Sequence, residues 1–295
     1  MSRFAASLLM MTLLLLVATG RAAAGQDYPA TGMVVSVDRP HRTFVASIQA
    51  IPNYMPAMTM PFEVVEPTAL DGLSPGAVVA FTLHVDERSS RAERIRIVRF
   101  ENIQQDPFIA SRLKLLNDLA AGTRAVKPIG VGETVPDFRL VDQAGRAVTL
   151  SGLRGKVVAV NFIYTSCVLP NFCLRLANNF AVLQKRFRQQ LGRELVLLTV
   201  TFDPVHDTPE VLAKYATQWN AEPSGWRFLT GPPADVSRVC DGFGVYAFAN
   251  EGLMDHSLHT ALIDPQGRLV ANIEGNQFTA AQLGDLTERV LKAPR

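Results

Sequence analysis

A nearly continuous run of apolar residues at 157 to 164 constrains the fold of this chain more than any other feature of its sequence. Such a run is typical of a β-strand buried on both faces of a sheet, because a half-exposed strand alternates apolar and polar residues. Apolar side chains then recur every three or four residues from Leu176 to Leu191, which predicts an amphipathic helix that ends at Gly192. A buried strand followed by a loop and a helix indicates an α/β domain.

The same alternation continues through residues 131 to 293, which we interpret as one compact α/β domain. A second apolar strand at 195 to 202 precedes Thr208 and Pro209, which predict the N-cap and the first position of a helix. Two further elements are predicted near the C-terminus, a β-hairpin at residues 261 to 273 and a helix begun by a capping box of Thr279 and Gln282.

Residues 25 to 100 show a different pattern, in which short β-like runs are separated by turn residues. The five runs lie at residues 32 to 38, 42 to 48, 59 to 65, 78 to 85 and 94 to 100. Five short strands of this kind predict a small all-β, OB-like barrel. Residues 101 to 130 lack strand character and predict a linker with a short amphipathic helix.

Residues 1 to 24 have the features of an export signal. Arg3 supplies a basic start, residues 7 to 18 are apolar, and three alanines precede the expected cleavage site. We therefore expect an exported, periplasmic protein, or a membrane-anchored one if the signal is retained. Once Arg3 and Arg21 are set aside, the 29 basic residues fall to 27 and equal the 27 acidic ones. This balance argues against a nucleic-acid partner.

Cys167 and Cys173 lie between the first buried strand and its helix, and the carboxyl ends of the strands of an α/β sheet are where ligands bind. An irregular loop around Pro170 would let the two thiols converge. The pair could then form a structural disulfide or, with one imidazole, hold Cu(I), which prefers soft ligands. Cys240 falls on an apolar helical face and is predicted to be a core thiol.

Five histidines could supply the imidazole, and His256 is our preferred candidate. It lies just before a β run, where Asp255 or a backbone carbonyl could orient its ring. His259 would point to the opposite face of that strand. After the second buried strand, Asp203 and His206 reach the same sheet edge and could add a weak contact.

Several separated motifs in residues 131 to 293 resemble the Sco/SenC family, thioredoxin-fold copper chaperones for assembly of the copper centre of cytochrome c oxidase. The motifs are PDFRL at 136 to 140, LRGK at 153 to 156, FIYTSC at 162 to 167, DPVHDTP at 203 to 209 and DHS at 255 to 257. The resemblance implies Cys167, Cys173 and His256 as copper ligands, with Asp203 as a weak fourth ligand. It also implies an oxidase copper-centre subunit, or another periplasmic copper protein, as the partner.

This chain departs from the family at the cysteine loop. The usual pair is Cys-x-x-x-Cys, whereas five residues separate Cys167 from Cys173 here. A longer loop can still bring the thiols together.

Met55, Met58 and Met60 form a second candidate site, in the predicted barrel. On a strand, Met58 and Met60 would share one face and offer two thioethers that suit Cu(I) or Ag(I). The segment resembles periplasmic CusF-type copper-binding proteins, whose site combines Met-x-Met with an upstream histidine. By that resemblance the histidine position falls at Ser47 or Ile48, neither of which has an imidazole. Packing of the methionines in the barrel core is the alternative.

Three functions therefore stay open on the sequence alone. The first is a copper chaperone that passes its metal to a partner. The second is a thiol:disulfide oxidoreductase, which would use Cys167 and Cys173 but would not need His256. In the third, the cysteines form a structural disulfide and the methionines are core residues.

Overall fold

The computed structural model describes residues 25–86, 89–98, 127–167, 170–250 and 253–294. The predicted signal at 1 to 24, and all but the last four residues of the predicted linker at 101 to 130, lie outside the described residues. The expected domain limits therefore stay predictions.

Five strands of the N-terminal part close into a small barrel in the order β1-β2-β3-β5-β4. They are β1 Gln26–Asp38, β2 Thr43–Ile48, β3 Met58–Glu63, β4 Val78–Val85 and β5 Ser90–Ile97. The interior holds three packed rings, Phe44, Phe62 and Phe81, as expected from the alternation of apolar residues. The predicted barrel is confirmed, although β1 starts six residues early because residues 26 to 31 pair with β4 despite their polar composition.

A seven-stranded sheet forms the C-terminal part, in the order β14-β13-β8-β9-β10-β6-β7. Its strands are β6 Arg139–Asp142, β7 Ala147–Thr149, β8 Val157–Ile163, β9 Leu195–Thr201, β10 Trp226–Thr230, β13 His259–Ile263 and β14 Leu269–Glu274. Strands β8, β9 and β10 are parallel, and every residue of β8 and β9 is buried. The prediction of central strands covered on both faces is confirmed.

Four helices accompany this sheet: α1 Cys173–Arg186, α2 Pro209–Gln218, α3 Pro233–Phe243 and α4 Ala280–Leu291. The predicted N-cap at Thr208 and the capping box of Thr279 and Gln282 are present. The predicted end of α1 is wrong, because the helix stops at Arg186 and a turn follows it. Gly192 lies in that turn with φ +78°, where a Cβ atom would come within 2.8 Å of the Ser224 carbonyl oxygen.

A separate two-stranded ribbon, β11 Ala247–Asn250 and β12 Leu253–His256, precedes β13. Its second strand ends at His256 and so carries that residue to the edge of the main sheet. Within the part of the chain that the structure describes, no helix is both long and apolar enough to cross a membrane.

The barrel packs directly on the α/β unit. Met33, Val35 and Val78 of the barrel belong to the same buried apolar cluster as the α/β core. Polar contacts surround this shared core: Ser47 and Thr59 both donate hydrogen bonds to Asp285 of α4, at 2.6 and 2.7 Å. The amide of Gln282 also donates to the carbonyl of Ser47, at 2.9 Å. Helix α4 thus forms the polar part of the contact.

Candidate metal centre

Two thiols and one imidazole converge at the carboxyl edge of the central strands. Cys167 follows β8, Cys173 is the first residue of α1, and His256 ends β12. Their ligand atoms all lie within 4.8 Å of one another. Both cysteines are buried thiols, and His256 is partly buried. Among the described residues, these three side chains form a group close enough to share one metal ion.

The ring of His256 is held in one orientation. Its Nδ1 lies 3.0 Å from the carbonyl oxygen of Ser257, and a carbonyl only accepts, so Nδ1 carries the proton. Nε2 is then the atom with the free lone pair, and it lies 3.8 Å from the Sγ atom of Cys173. Of the two orienting groups predicted from the sequence, the structure shows the backbone carbonyl. This arrangement is typical of a histidine that ligates through Nε2.

Aromatic rings enclose the imidazole. The ring centroids of Tyr164, Phe172 and Phe202 lie 5.6, 6.2 and 4.8 Å from that of His256. Apolar walls exclude water, which strengthens electrostatic interactions between a bound cation and its ligands.

The same burial keeps the Cys173 thiol protonated when no cation is bound. Burial, and then the neighbouring Cys167, raise the pKa of Cys173 well above its ordinary value. Burial also raises the pKa of Tyr164 to about 12. A bound cation would reverse this preference, because it stabilises thiolate ligands directly. Two sulfurs and one nitrogen suit a soft metal and not Mg²⁺ or Ca²⁺, which prefer oxygen ligands.

Asp203 lies outside this group of three. Its carboxylate contacts the Nδ1 atom of His206 at 2.9 Å, and this hydrogen bond raises the pKa of His206. His206 is exposed, which fits a capping or surface role. A weak contact from Asp203 to the metal stays a prediction.

Asp207 was missed as a functional residue by the sequence analysis. It is buried, and its carboxylate accepts hydrogen bonds from the backbone and side chain of Thr165, at 3.0 and 2.5 Å. It also accepts one from Thr201, at 2.5 Å. Asp207 therefore fixes the chain two residues before Cys167 to the end of β9. An acidic residue shortly after a buried strand was the available signal, but its partners are distant in sequence.

Cys240 and His259 lie away from the cluster. Cys240 is buried on α3, and burial raises the pKa of its thiol to about 12. His259 is buried in β13, where its Nδ1 contacts the side chain of Asn272 at 3.0 Å.

The methionine strand has no imidazole in register with it. Met58 and Met60 share the face of β3 that carries the buried Phe62. Across β2, Ile48 pairs with Met58 and Ala46 pairs with Met60. Ser47, the other position that resemblance gave to the histidine, faces the opposite way and contacts Asp285 instead.

Methionine and tyrosine side chains lie close to this strand. Met55 and Met60 are partly buried against the barrel core, and Met58 is exposed. Tyr54 precedes Met55 and stacks on Tyr28, with ring centroids 4.0 Å apart. The barrel thus offers thioethers at its surface.

The fold and the cluster together define a class of protein, a thioredoxin-like α/β protein whose paired thiols lie beside a histidine. The sequence model of SCO1/SenC matches residues 127–292, more than half of the chain. This chain belongs to the SCO1/SenC family. A second model, described as copper binding periplasmic protein CusF, matches residues 27–97, which form the barrel.

Several known proteins are similar to this chain over part of its length. A SCO2-like protein of Rickettsia typhi is 31% identical over 151 residues, which are 48% of this chain and 69% of that protein. Among solved structures, copper-bound ScoI of Bradyrhizobium japonicum is 26% identical, with a TM-score of 0.46. The similarity covers 54% of this chain and 99% of that chain. BsSco, described as a member of the Sco family of cytochrome c oxidase assembly proteins, is 22% identical, with a TM-score of 0.48 and coverages of 58% and 100%. The chain spans 56% to 69% of the length of the first curated relatives that it matches.

Proposed function

We propose that this protein is an exported copper chaperone that holds Cu(I) between Cys167, Cys173 and His256. The observation that carries the proposal is the convergence of two thiols with the lone pair of an oriented imidazole. Membership of the SCO1/SenC family supports it, as does the match of the barrel to a copper-binding family.

The donor set explains the choice of metal and oxidation state. Thiolate sulfur and imidazole nitrogen suit Cu(I), whose affinity for soft ligands is high. Binding requires both thiols to lose their protons, so Cu(I) affinity should rise with pH. Because His256 is partly exposed at the edge of the site, it is the ligand that a recipient protein can replace first.

The proposed recipient is the copper-centre subunit of cytochrome c oxidase or another periplasmic copper protein. BsSco belongs to a family of cytochrome c oxidase assembly proteins, and this chain is a member of the same family. Delivery outside the cytoplasm agrees with the signal expected at residues 1 to 24.

Thiol:disulfide exchange is the second candidate, and the proximity of two thiols favours it. Exchange needs an accessible thiolate as the attacking group. Cys167 and Cys173 are both buried, and the pKa of Cys173 is raised. Burial of the thiols therefore favours metal holding over exchange.

We further propose that Met55, Met58 and Met60 bind Cu(I) or Ag(I) weakly. Met58 and Met60 share one face of β3, and thioethers are soft ligands. The weakness follows from the apolar Ile48 and Ala46 that pair with these methionines.

Copper stoichiometry of the intact chain tests the main site. The reduced protein should bind one Cu(I) tightly, and oxidation of Cys167 and Cys173 to a disulfide should abolish this binding. A Cys173→Ser variant should lose tight binding, whereas the matched control Cys240→Ser should keep it. Equal copper loading before and after oxidation would refute the cysteine site, and loss of metal in the control would refute the choice of pair.

A further inference from the structure

The loop between the two thiols must be held in place for the site to exist. Five residues lie between Cys167 and Cys173, and the last three of them, residues 170 to 172, lead directly into α1 and so set the position of the Cys173 thiol. Ordering each loop residue costs about 1 to 2 kcal/mol of conformational entropy, so fixed hydrogen bonds are needed to offset that cost. On the side of Cys167, Asp207 supplies them through Thr165.

On the side of Cys173, the hydrogen bonds come from the connection between β14 and α4. The side-chain amide of Asn276 donates to the carbonyl of Asn171, two residues before Cys173. Close by, Arg175 donates in the opposite direction, to the carbonyl of Phe278, at 3.0 Å. Asn276 and Phe278 are both buried and the two hydrogen bonds are partly buried, which limits the competition of water for them.

The same connection is also tied to the segment that carries His256. The backbone N–H of Gly275 donates to the carbonyl of Leu258, two residues after His256, at 2.7 Å. Gly275 has φ +87°, a conformation that other residues rarely adopt. Its backbone is held by the hydrogen bond to Leu258, and this fixes the position of the next residue, Asn276. One short connection therefore contacts both segments that contribute ligands.

We propose that Asn276 is a positioning residue of the metal site, which holds the loop between the cysteines so that both thiols face His256. Its carboxamide acts through the carbonyl of Asn171 and does not touch the metal. In its absence the loop opens more often and exposes Cys173, whose side chain is fully buried in the folded protein.

Two substitutions separate this role from simple packing. Asn276→Ala removes the donor and leaves a space. Asn276→Asp keeps the shape but sets a carboxylate, which cannot donate, against the carbonyl of Asn171. A positioning role through the hydrogen bond predicts that Asp is the more harmful change, whereas a packing role predicts that Ala is.

The test measures alkylation of the metal-free, reduced chain by iodoacetamide, with each cysteine followed by mass spectrometry. We expect Cys173 to react roughly tenfold faster in Asn276→Ala, the effect of losing one partly buried hydrogen bond, and faster still in Asn276→Asp. Cys240, buried on α3, serves as the internal reference for global unfolding. Glu274, which is exposed and lies two residues before Asn276, supplies the control variant Glu274→Ala, which should match the parent.

Three outcomes would overturn the proposal: unchanged rates at Cys173 in both variants, a parallel rise at Cys240, or a larger effect of Ala than of Asp. A parallel measurement of Cu(I) affinity should show weakening in the same order. This second measurement rests on the proposed function. If the parent fails to bind Cu(I), the proposed function falls while the alkylation result still decides the role of Asn276.

Discussion

Removal of the Asp285 carboxylate should weaken the contact between the barrel and the α/β unit. In Asp285→Ala, the hydroxyl of Ser47, which is buried, loses its acceptor, and this costs about 1 to 3 kcal/mol. Thr59 is exposed and can form a hydrogen bond to water instead, so the loss of its hydrogen bond to Asp285 adds about 0.5 kcal/mol. Arg186 keeps its second partner, Glu288, at 2.7 Å. The expected total is roughly 1.5 to 3.5 kcal/mol, or about 2 to 6 °C in Tm for a chain of this size.

Urea and thermal unfolding of the intact chain would measure this effect. Glu288→Ala is the matched control, since Glu288 contacts the same arginine from the same helix but pairs with Lys292 instead of the barrel. As a surface ion pair, it should contribute less than about 1 kcal/mol. A loss in Asp285→Ala no larger than that in Glu288→Ala would refute the reasoning.

The same variant has a predictable pH dependence. Burial raises the pKa of Asp285, but hydrogen bonds from Ser47, Thr59 and Arg186 outweigh it and bring the pKa below its ordinary value of 3.8. The carboxylate therefore contributes its stability above pH 3.8, and this contribution is lost as the pH falls through the lower pKa of the folded state. The difference in unfolding free energy between parent and Asp285→Ala should be constant near neutral pH and should narrow below pH 3.8.

Three further predictions concern the metal sites. His256→Ala should lower Cu(I) affinity on the order of 100-fold while the thiol pair still oxidises reversibly, and an unchanged affinity in a competition titration would exclude the imidazole as a ligand. Replacing Met58 and Met60 together by Leu should abolish weak Ag(I) binding at a cost below about 1.5 kcal/mol, and loss of fold without loss of Ag(I) binding would favour a packing role. Ile48→His should strengthen Ag(I) binding, because this position faces Met58 in register, whereas Ser47→His should not, because it faces α4. The reverse order in an Ag(I) titration would contradict the register argument.

The location of the two cysteines in the metal centre could be predicted from the sequence, because the geometry of parallel strands is regular. The apolar run at 157 to 164 predicts a central strand, and its carboxyl end must lie at the ligand-binding edge, so Cys167 and Cys173 could be placed there. The position of His256 depended on the family resemblance. Its ribbon is formed by two four-residue strands, too short for a periodic pattern.

The residues that hold the site together could not be found in the same way. Asp207 and Asn276 act through hydrogen bonds to segments 42 and 105 residues away in sequence. No local periodicity encodes such pairs. Likewise, the sequence marks Ser47 only as a position where the CusF-type site would have a histidine. Its contact with Asp285 forms only when the barrel and the α/β unit pack together.

The apolar cluster shared by the two units makes the protein indivisible in practice. If the barrel were expressed without its neighbour, Met33, Val35 and Val78 would lose the cover that the α/β core gives them. Newly exposed apolar surface of this kind promotes aggregation. Metal binding measured on such a fragment would then reflect its instability and not the properties of the intact protein. A substitution at Met33, Val35 or Val78 should therefore destabilise the α/β unit together with the barrel.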